Sequence, residues 1–434
     1  VKNPDGTDKK ARAVRLTKDE KFNFVSCLID SGGWTFGMAF FSTSTIVPAF
    51  LCKLGAGNVI IGLLPALITL GYTTPGILFA GVFGRLSRIR TWLLPGAILE
   101  RIPLLLTGVS ILTIHNRSVL LLVFLSLFVI HAIILGVDQP AYWIIISKAI
   151  PEQWRGRLFG SAGLLGGLLS FAVLPVAGHL LASTGAEPMH GFAWCFIVGS
   201  IILIVTVLPL GFIREAYDER AKSSKAPAMN SSYFSGIWRS SSGFRWFIWS
   251  QAWFAIWLIA GPFYVLDGIR RLHVTAAEIG LFTAIGAVVA AFGGSLCGLL
   301  SDRSGNRVVL IISGVAACLA SFVALLADNS EQLIIVFALS SFAAAGAGLA
   351  GYNITMEFAP SDRDIPHYTS FYNLVLAPVR AVGLIAGGLI SASFAFAPVF
   401  VISTAAAAVC VALTFRLVEP RHKNQTITTL EHPI

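Results

Sequence analysis

Five ionisable residues stand in stretches that are otherwise apolar: Asp30 in CLIDSGGW, Glu100 and Arg101 in GAILERIPLLLTG, Asp138 in ILGVDQPAYWIIISK, and Arg380 in LAPVRAVGLIAGG. A charge in such surroundings is costly unless it is paired, meets water in a cavity or serves a function. At the helical rise, Arg101 lies ~15 Å from Thr91, and Asp138 lies ~15 Å from Lys148 at the same end of the next segment. Equal depth on consecutive antiparallel segments lets Arg101 and Asp138 meet. Two readings of that pair stand: a structural ion pair, or a site whose proton is coupled to a conformational change. Glu100 points about a quarter-turn away and needs another partner. His131 precedes Asp138 by seven residues, so it shares nearly the same helical face. Asp30, at ~12 Å depth, either anchors the first turns or titrates in a wet cavity.

Arg380 lies ~18 Å into its segment with Asn373 two turns below it on one face. No acid in the later segments sits at a matching depth, so Arg380 either holds a carboxylate or phosphate of a substrate or pairs with Asp30 or Asp138. Trp246, Trp249, Trp253 and Trp257 also share one helical face. The first two read as an interfacial aromatic belt. Trp253 and Trp257 are too deep for that and either pack against neighbours or, with Gln251 and Tyr264 near them, offer flat walls to a substrate. His179 and Asp267 fall near segment ends and read as solvated. The expected site is therefore Arg380, Asn373, Trp253, Trp257 and Gln251 for substrate, with Asp30, Asp138, Arg101 and His131 for proton coupling or ion pairing.

The elements that must position these residues are membrane spans. The 434 residues are 56% hydrophobic and only 12% charged, with a mean hydropathy of +0.78. Soluble domains carry about a quarter charged residues, and about 20 apolar residues suffice to cross a bilayer as a helix. Twelve spans are expected at 22–50, 58–82, 92–113, 119–147, 158–182, 192–213, 244–266, 277–300, 308–327, 332–355, 368–391 and 396–415. The first is long enough to be tilted or broken near Gly32-Gly33 or Pro48. With the amino terminus inside, 25 Lys/Arg face the cytoplasm and four face the other side. That split puts both termini in the cytoplasm and explains the net charge of +9 without nucleic acid. The expected layout is a basic tail (1–21), a six-helix bundle (22–213), a cytoplasmic linker (214–243), a second six-helix bundle (244–415) and a tail (416–434). The tail reads as no secretory signal, because it lacks an apolar core. The six cysteines lack C-x-x-C spacing and read as small hydrophobes, so neither a disulfide framework nor a metal site is expected.

The two bundles echo each other. GVFGRLSRIR (81–90) and GLLSDRSGNR (298–307) follow the second span of each, and AIPEQWRGRLFG (149–160) and FAPSDRDIPHYT (358–369) follow the fourth. Two loops recurring at nearly one offset imply duplication. Here the sequence resembles the major facilitator superfamily. Gly298 through Asp302, Arg303, Gly305 and Arg307 matches that family's G-x-x-x-D-R-x-G-x-[RK] loop, and Pro151 with Arg155-Gly156-Arg157 is a second match. The resemblance implies an all-α fold of two halves that rock around a substrate site near the midplane. It also gives Asp302, Arg303, Gly305 and Arg307 a role in the conformational change. In the first-half loop, Arg85 stands where the family carries Asp and Arg88 where it carries Gly. Leu174, beside Pro175 and Gly178, replaces a glycine usual in the antiporters.

The spans rich in glycine (58–82, 158–182, 277–300 and 368–391) are those that flank the seam between halves in that layout, where small residues let backbones approach. GAGLAG (346–351) formally satisfies G-x-G-x-x-G, but it lies inside an apolar span and not in a strand-to-helix turn, so dinucleotide binding is excluded.

The chain is thus expected to be a multi-pass protein of the cell (inner) membrane. It would be a monomer without cofactor or metal, moving a small organic solute by alternating access with protons as coupling ion. Efflux or translocation of amphipathic or lipidic compounds is the first alternative, and a non-transporting scaffold of the same fold is the second. An enzyme is not expected, since H-E-x-x-H, Walker and G-x-S-x-G motifs are missing from the sequence.

Overall fold

The computed structural model describes residues 16–83, 89–183, 189–215, 231–360 and 364–417. Most of the basic tail, half of the linker and most of the carboxy-terminal tail lie outside the described residues, as do Arg85, Arg88 and the side chain of His179.

The described chain is helical throughout. Its helices are α1 (Lys18–Ala39), α2 (Ile46–Leu54), α3 (Asn58–Phe83), α4 (Arg90–Thr113), α5 (Arg117–Ala149), α6 (Glu152–Ser183), α7 (His190–Val207) and α8 (Ser231–Ser240). They continue with α9 (Ser242–Trp257), α10 (Gly261–Arg271), α11 (Ala276–Ser304), α12 (Asn306–Leu326), α13 (Ser330–Glu357), α14 (Ile365–Phe394) and α15 (Ala397–Thr414). Among the described residues, 11 helical stretches are long and apolar enough to cross a membrane, with α9 and α10 forming one of them. The first apolar stretch stands apart because it is divided into α1 and α2. The break falls at 40–45, between the two expected places: Gly32 and Gly33 stay inside α1 and Pro48 inside α2. The break carries Ser42-Thr43-Ser44-Thr45, residue types that favour helix ends over helix interiors, and Thr45 Oγ1 donates to Ser42 Oγ at 2.6 Å. α9 and α10 meet at a tight turn over Leu258–Ala260, with Pro262 at the start of α10, where its missing N–H costs nothing.

Helices before residue 215 pack mainly on one another (α3–α5, α4–α5, α4–α7, α1–α6), and so do those after 231 (α12–α13, α11–α13, α12–α15, α9–α15). The seam between the two sets consists chiefly of α6 against α11 and α3 against α14. It is close because glycines line it. A Cβ on Gly280 would lie 2.6 Å from the Leu174 carbonyl oxygen, and one on Gly388 would lie 2.8 Å from that of Asn58.

At one end of the seam a single apolar cluster runs through both sets, from Phe41, Phe50, Phe124 and Phe196 to Phe263, Phe282, Phe337 and Phe400. Exposing any of these rings to water would cost about 1.5–3 kcal/mol, so this end is held shut. Thr45 and Thr283 add a hydrogen bond across it at 2.6 Å. At the other end the clusters are separate, one around Ile145, Leu158 and Leu210, the other around Phe244, Ile354 and Tyr372. The molecule is closed at one end and parted at the other. Its outer faces expose large apolar side chains such as Leu122, Phe212, Leu296 and Val382, the surface that a hydrocarbon phase covers.

Candidate functional site

Between the parted ends lies a cavity of about 630 Å³. Its walls come from both sets of helices: Asp30, Arg101 and Asp138 from α1, α4 and α5, and Tyr352, Asn373 and Arg380 from α13 and α14. Trp34, Tyr72, Tyr142 and Trp143 give it aromatic walls. A volume in this range suits a small organic molecule.

The charges in it are arranged differently from the sequence expectation. Arg101 does not pair with Asp138. Its Nη2 donates to Asp30 Oδ1 at 3.3 Å, and its Nη1 donates to Glu100 Oε1 at 2.7 Å and to the Ala97 carbonyl at 2.7 Å. Adjacent helix residues point apart, but the long arginine stem folds back along its own helix and brings the guanidinium to Glu100. Glu100 thus finds its partner next door. All three side chains are about 4% exposed. Trp34 packs against the cluster, with the Arg101 guanidinium 5.2 Å from its ring centre. His131 stacks on Trp34 and pairs through Nδ1 with the Glu100 backbone carbonyl at 2.7 Å, behind the residues that line the cavity.

Asp138 lines the cavity and accepts from the indole Nε1 of Trp92 at 2.5 Å. Its Oδ2 is buried without a hydrogen-bond partner. The carboxylate lies against the backbone of α4 at Gly96, where a Cβ would come within 2.5 and 2.7 Å of its two oxygens. Across the cavity, Arg380 has no carboxylate within ion-pair distance among the described residues, and its Nε is buried and unpartnered. Its charge lies close to the phenols of Tyr72 and Tyr372.

Trp253, Trp257 and Gln251 do not line this cavity. Trp257 is buried in the core of the later helices, where its Nε1 donates to Ser321 Oγ at 2.9 Å, and Trp253 packs on the same core. Tyr264 shares the Ser321 hydroxyl at 2.7 Å. Gln251 is buried and accepts from Tyr372 Oη at 3.3 Å. The face carrying these tryptophans turns toward α12 and α15 because indole N–H groups buried in hydrocarbon need a protein acceptor. Asp267 is buried as well, held by Arg271 at 2.7 Å one turn on.

Residues 252–432 match the sequence family described as the Major Facilitator Superfamily. The chain also aligns with the multidrug resistance protein MdtG of Salmonella typhi at 25% identity over 188 residues, 40% of this chain and 45% of that protein. The aligned part is thus less than half of that relative's length. Solved structures extend the likeness to the whole fold. An inward-facing, occupied bacterial homologue of the human lysosomal transporter Spinster matches with a TM-score of 0.67 at 16% identity, over 93% of this chain and 98% of that one. A D-xylose–proton symporter matches with a TM-score of 0.65 at 16% identity, over 92% and 98%. The later part of the chain thus carries that family's sequence pattern, and the whole chain has the fold of those solved structures. It is a multi-pass membrane protein, and the two solved structures it resembles are of transporters.

The superfamily loop at 298–307 closes α11 and opens α12. Gly305 has φ 85° and ψ 163°, a conformation that favours glycine. Arg307 donates to the Phe415 carbonyl at 2.7 Å and the Thr414 carbonyl at 3.3 Å, and Asn306 donates to Glu357 Oε1 at 2.8 Å. The loop is thereby tied to the ends of α15 and α13. Asp302 and Arg303 are exposed.

Sequence reasoning passed over Trp34, Trp92, Tyr72, Tyr142 and Tyr352. Trp34 carried a signal, since it sits one turn after Asp30 on the same face. Trp92 carried none, because its contact with Asp138 exists only once α4 and α5 pack.

Proposed function

We propose that this chain is a secondary transporter of the cell membrane that moves a small organic solute by alternating access with protons as coupling ion. In this reading it has two six-helix units, 22–213 and 244–415, and both termini in the cytoplasm. The broken stretch α1–α2 then serves as a twelfth crossing. The observation that carries the reading is the shared cavity. One unit supplies Asp30, Arg101 and Asp138, the other supplies Asn373 and Arg380, and one end is sealed by the apolar cluster while the other is parted.

Arg380 is the anchor for an anionic group, because it is a fixed planar charge with no acid partner among the described residues. The coupling group is the cluster of Asp30, Glu100 and Arg101. With all three ionised it carries one net negative charge in a buried place, and one proton brings it to zero. Proton occupancy therefore changes how readily this part of the cavity closes away from water.

A stability screen of small organic anions on the detergent-purified protein, followed by proteoliposome flux under an imposed pH gradient, tests this. Stabilisation by organic anions that is lost in Arg380→Ala, with gradient-driven flux lost in Asp30→Asn, is expected. Gradient-driven flux unchanged in Asp30→Asn would remove the coupling role.

A second reading, efflux of amphipathic compounds, is favoured by the likeness to a multidrug resistance protein and by the walls of Trp34, Tyr72, Tyr142 and Trp143. Stabilisation by lipophilic cations alone would select it.

A further inference from the structure

Two charged side chains of the cavity each keep a buried polar atom without a hydrogen-bond partner: Asp138 Oδ2 and Arg380 Nε. They are opposite in sign and come from opposite sides of the seam, α5 and α14. Buried polar atoms of native proteins are nearly always satisfied, and a charged group left short of partners is costly. The remaining acids of the cavity are already engaged, since Asp30 and Glu100 share Arg101. A negative side chain on one wall and a positive one on the other therefore each line the cavity with a polar atom still unsatisfied, which a small turn of the side chain would bring to whatever enters between them.

We propose that the transported solute is a zwitterion, with its anionic group on Arg380 and its cationic group on Asp138. This rests on the transporter reading and names its substrate class. Trp92 donates to Asp138 Oδ1 and holds that end of the carboxylate, and Oδ2, which has no partner, is the acceptor left for an ammonium once the side chain turns toward the cavity. Asn373, two turns before Arg380 on α14 and also in the cavity wall, adds an uncharged polar group beside the anionic end. The body of the solute then lies against Trp34, Tyr72 and Tyr142, whose ring faces accept both apolar and cationic surface. Because the two anchors belong to the two sides of the seam, a solute carrying both charges bridges them, and one carrying a single charge does not. Charge pairing across the solute is thus a direct means of drawing the parted end together.

The test uses the full chain in detergent with tryptophan and alanyl-tryptophan, two zwitterions of different charge separation. Each is compared with its N-acetyl form, which keeps only the anion, and its methyl ester, which keeps only the cation. Binding is read as competition and as a shift in thermal unfolding. A zwitterion is expected to bind about 10- to 100-fold more tightly than either capped form, the ratio that one charge-assisted hydrogen bond supplies. Asp138→Asn should erase the discrimination against the N-acetyl form alone, and Arg380→Gln the discrimination against the ester alone, with ligand-free unfolding no lower in either. Capped forms that bind as well as their parent overturn the proposal. So does a loss of all binding in both well-folded variants, which is the mark of Asp138 and Arg380 pairing with each other when the seam closes. If no zwitterion of the panel binds, the proposal also fails. In that case pH-driven proteoliposome flux of organic anions or lipophilic cations would still uphold the transporter reading, whereas no flux of either would sink that too.

Discussion

Trp92 Nε1 donates to Asp138 Oδ1 at 2.5 Å, and the carboxylate is pressed against the backbone of α4 at Gly96. Three residues of two helices thus fix where the negative wall of the cavity stands. No side chain fits at Gly96 without moving Asp138. Gly96→Ala is expected to displace the carboxylate, lowering solute affinity at least about tenfold and costing about 1–3 kcal/mol of stability. Trp92→Phe removes the donor and trims a side chain that is 37% exposed, so it should weaken affinity with a smaller loss of stability. Competition binding with thermal unfolding in detergent separates the two. A Gly96→Ala protein that binds like the parent would show that Asp138 has no part in the site.

The Asp30–Arg101–Glu100 cluster predicts unequal results at its members. Arg101→Ala leaves two buried carboxylates without their counter-charge and should cost about 3–5 kcal/mol, enough to prevent recovery of folded protein. Asp30→Asn removes the charge excess and should be recovered at normal yield while losing gradient-driven flux. Size-exclusion profiles and flux measured on the two variants check this contrast.

The sealed end is held by the apolar cluster and by one hydrogen bond across the seam between Thr45 and Thr283. Replacing both hydroxyls, in Thr45→Val with Thr283→Val, should remove about 1 kcal/mol from the closed arrangement and shift its population about fivefold. A cysteine placed at Ser42, in a background without the native cysteines, reports this as faster labelling by a membrane-impermeant thiol reagent. An unchanged labelling rate would mean that the two threonines add nothing to the closed state.

Trp257 tests the correction made by the structure. Trp257→Phe keeps an aromatic ring but loses the donor to Ser321 and part of the buried indole, so it should cost about 1–3 kcal/mol of stability and leave solute affinity unaltered. A change in affinity without a change in stability would return Trp257 to the binding site.

At Gly305 the positive φ makes a side chain strained whatever space is available. Gly305→Ala should destabilise the turn between α11 and α12 by at least about 1 kcal/mol, read in the unfolding midpoint. An unchanged midpoint would mean the turn relaxes into another conformation at no cost.

The all-helical membrane character was legible in the sequence because it rests on composition and run length, which need no knowledge of neighbours. The charged residues worth attention were legible for the same reason: Asp30, Asp138, Arg101 and Arg380 are costly in apolar segments wherever those segments end up. Helix depth even brought Arg101 and Asp138 to a common level. What helical periodicity cannot supply is which neighbour a face meets. Arg101 turned to Asp30 and Glu100, because α1 packs where Asp30 reaches it and a flexible side chain finds the nearest carboxylates. Trp253 and Trp257 looked equally suited to a cavity wall or a core, and only the packing of α9 against α15, with Ser321 of α12 offering an acceptor, decided for the core. The break in the first span fell at four hydroxyl residues, not at the glycines or the proline. Identity and spacing along the chain therefore determined which groups must be compensated, and the tertiary packing alone decided by whom, since a partner is a matter of distance between helices that the sequence does not contain.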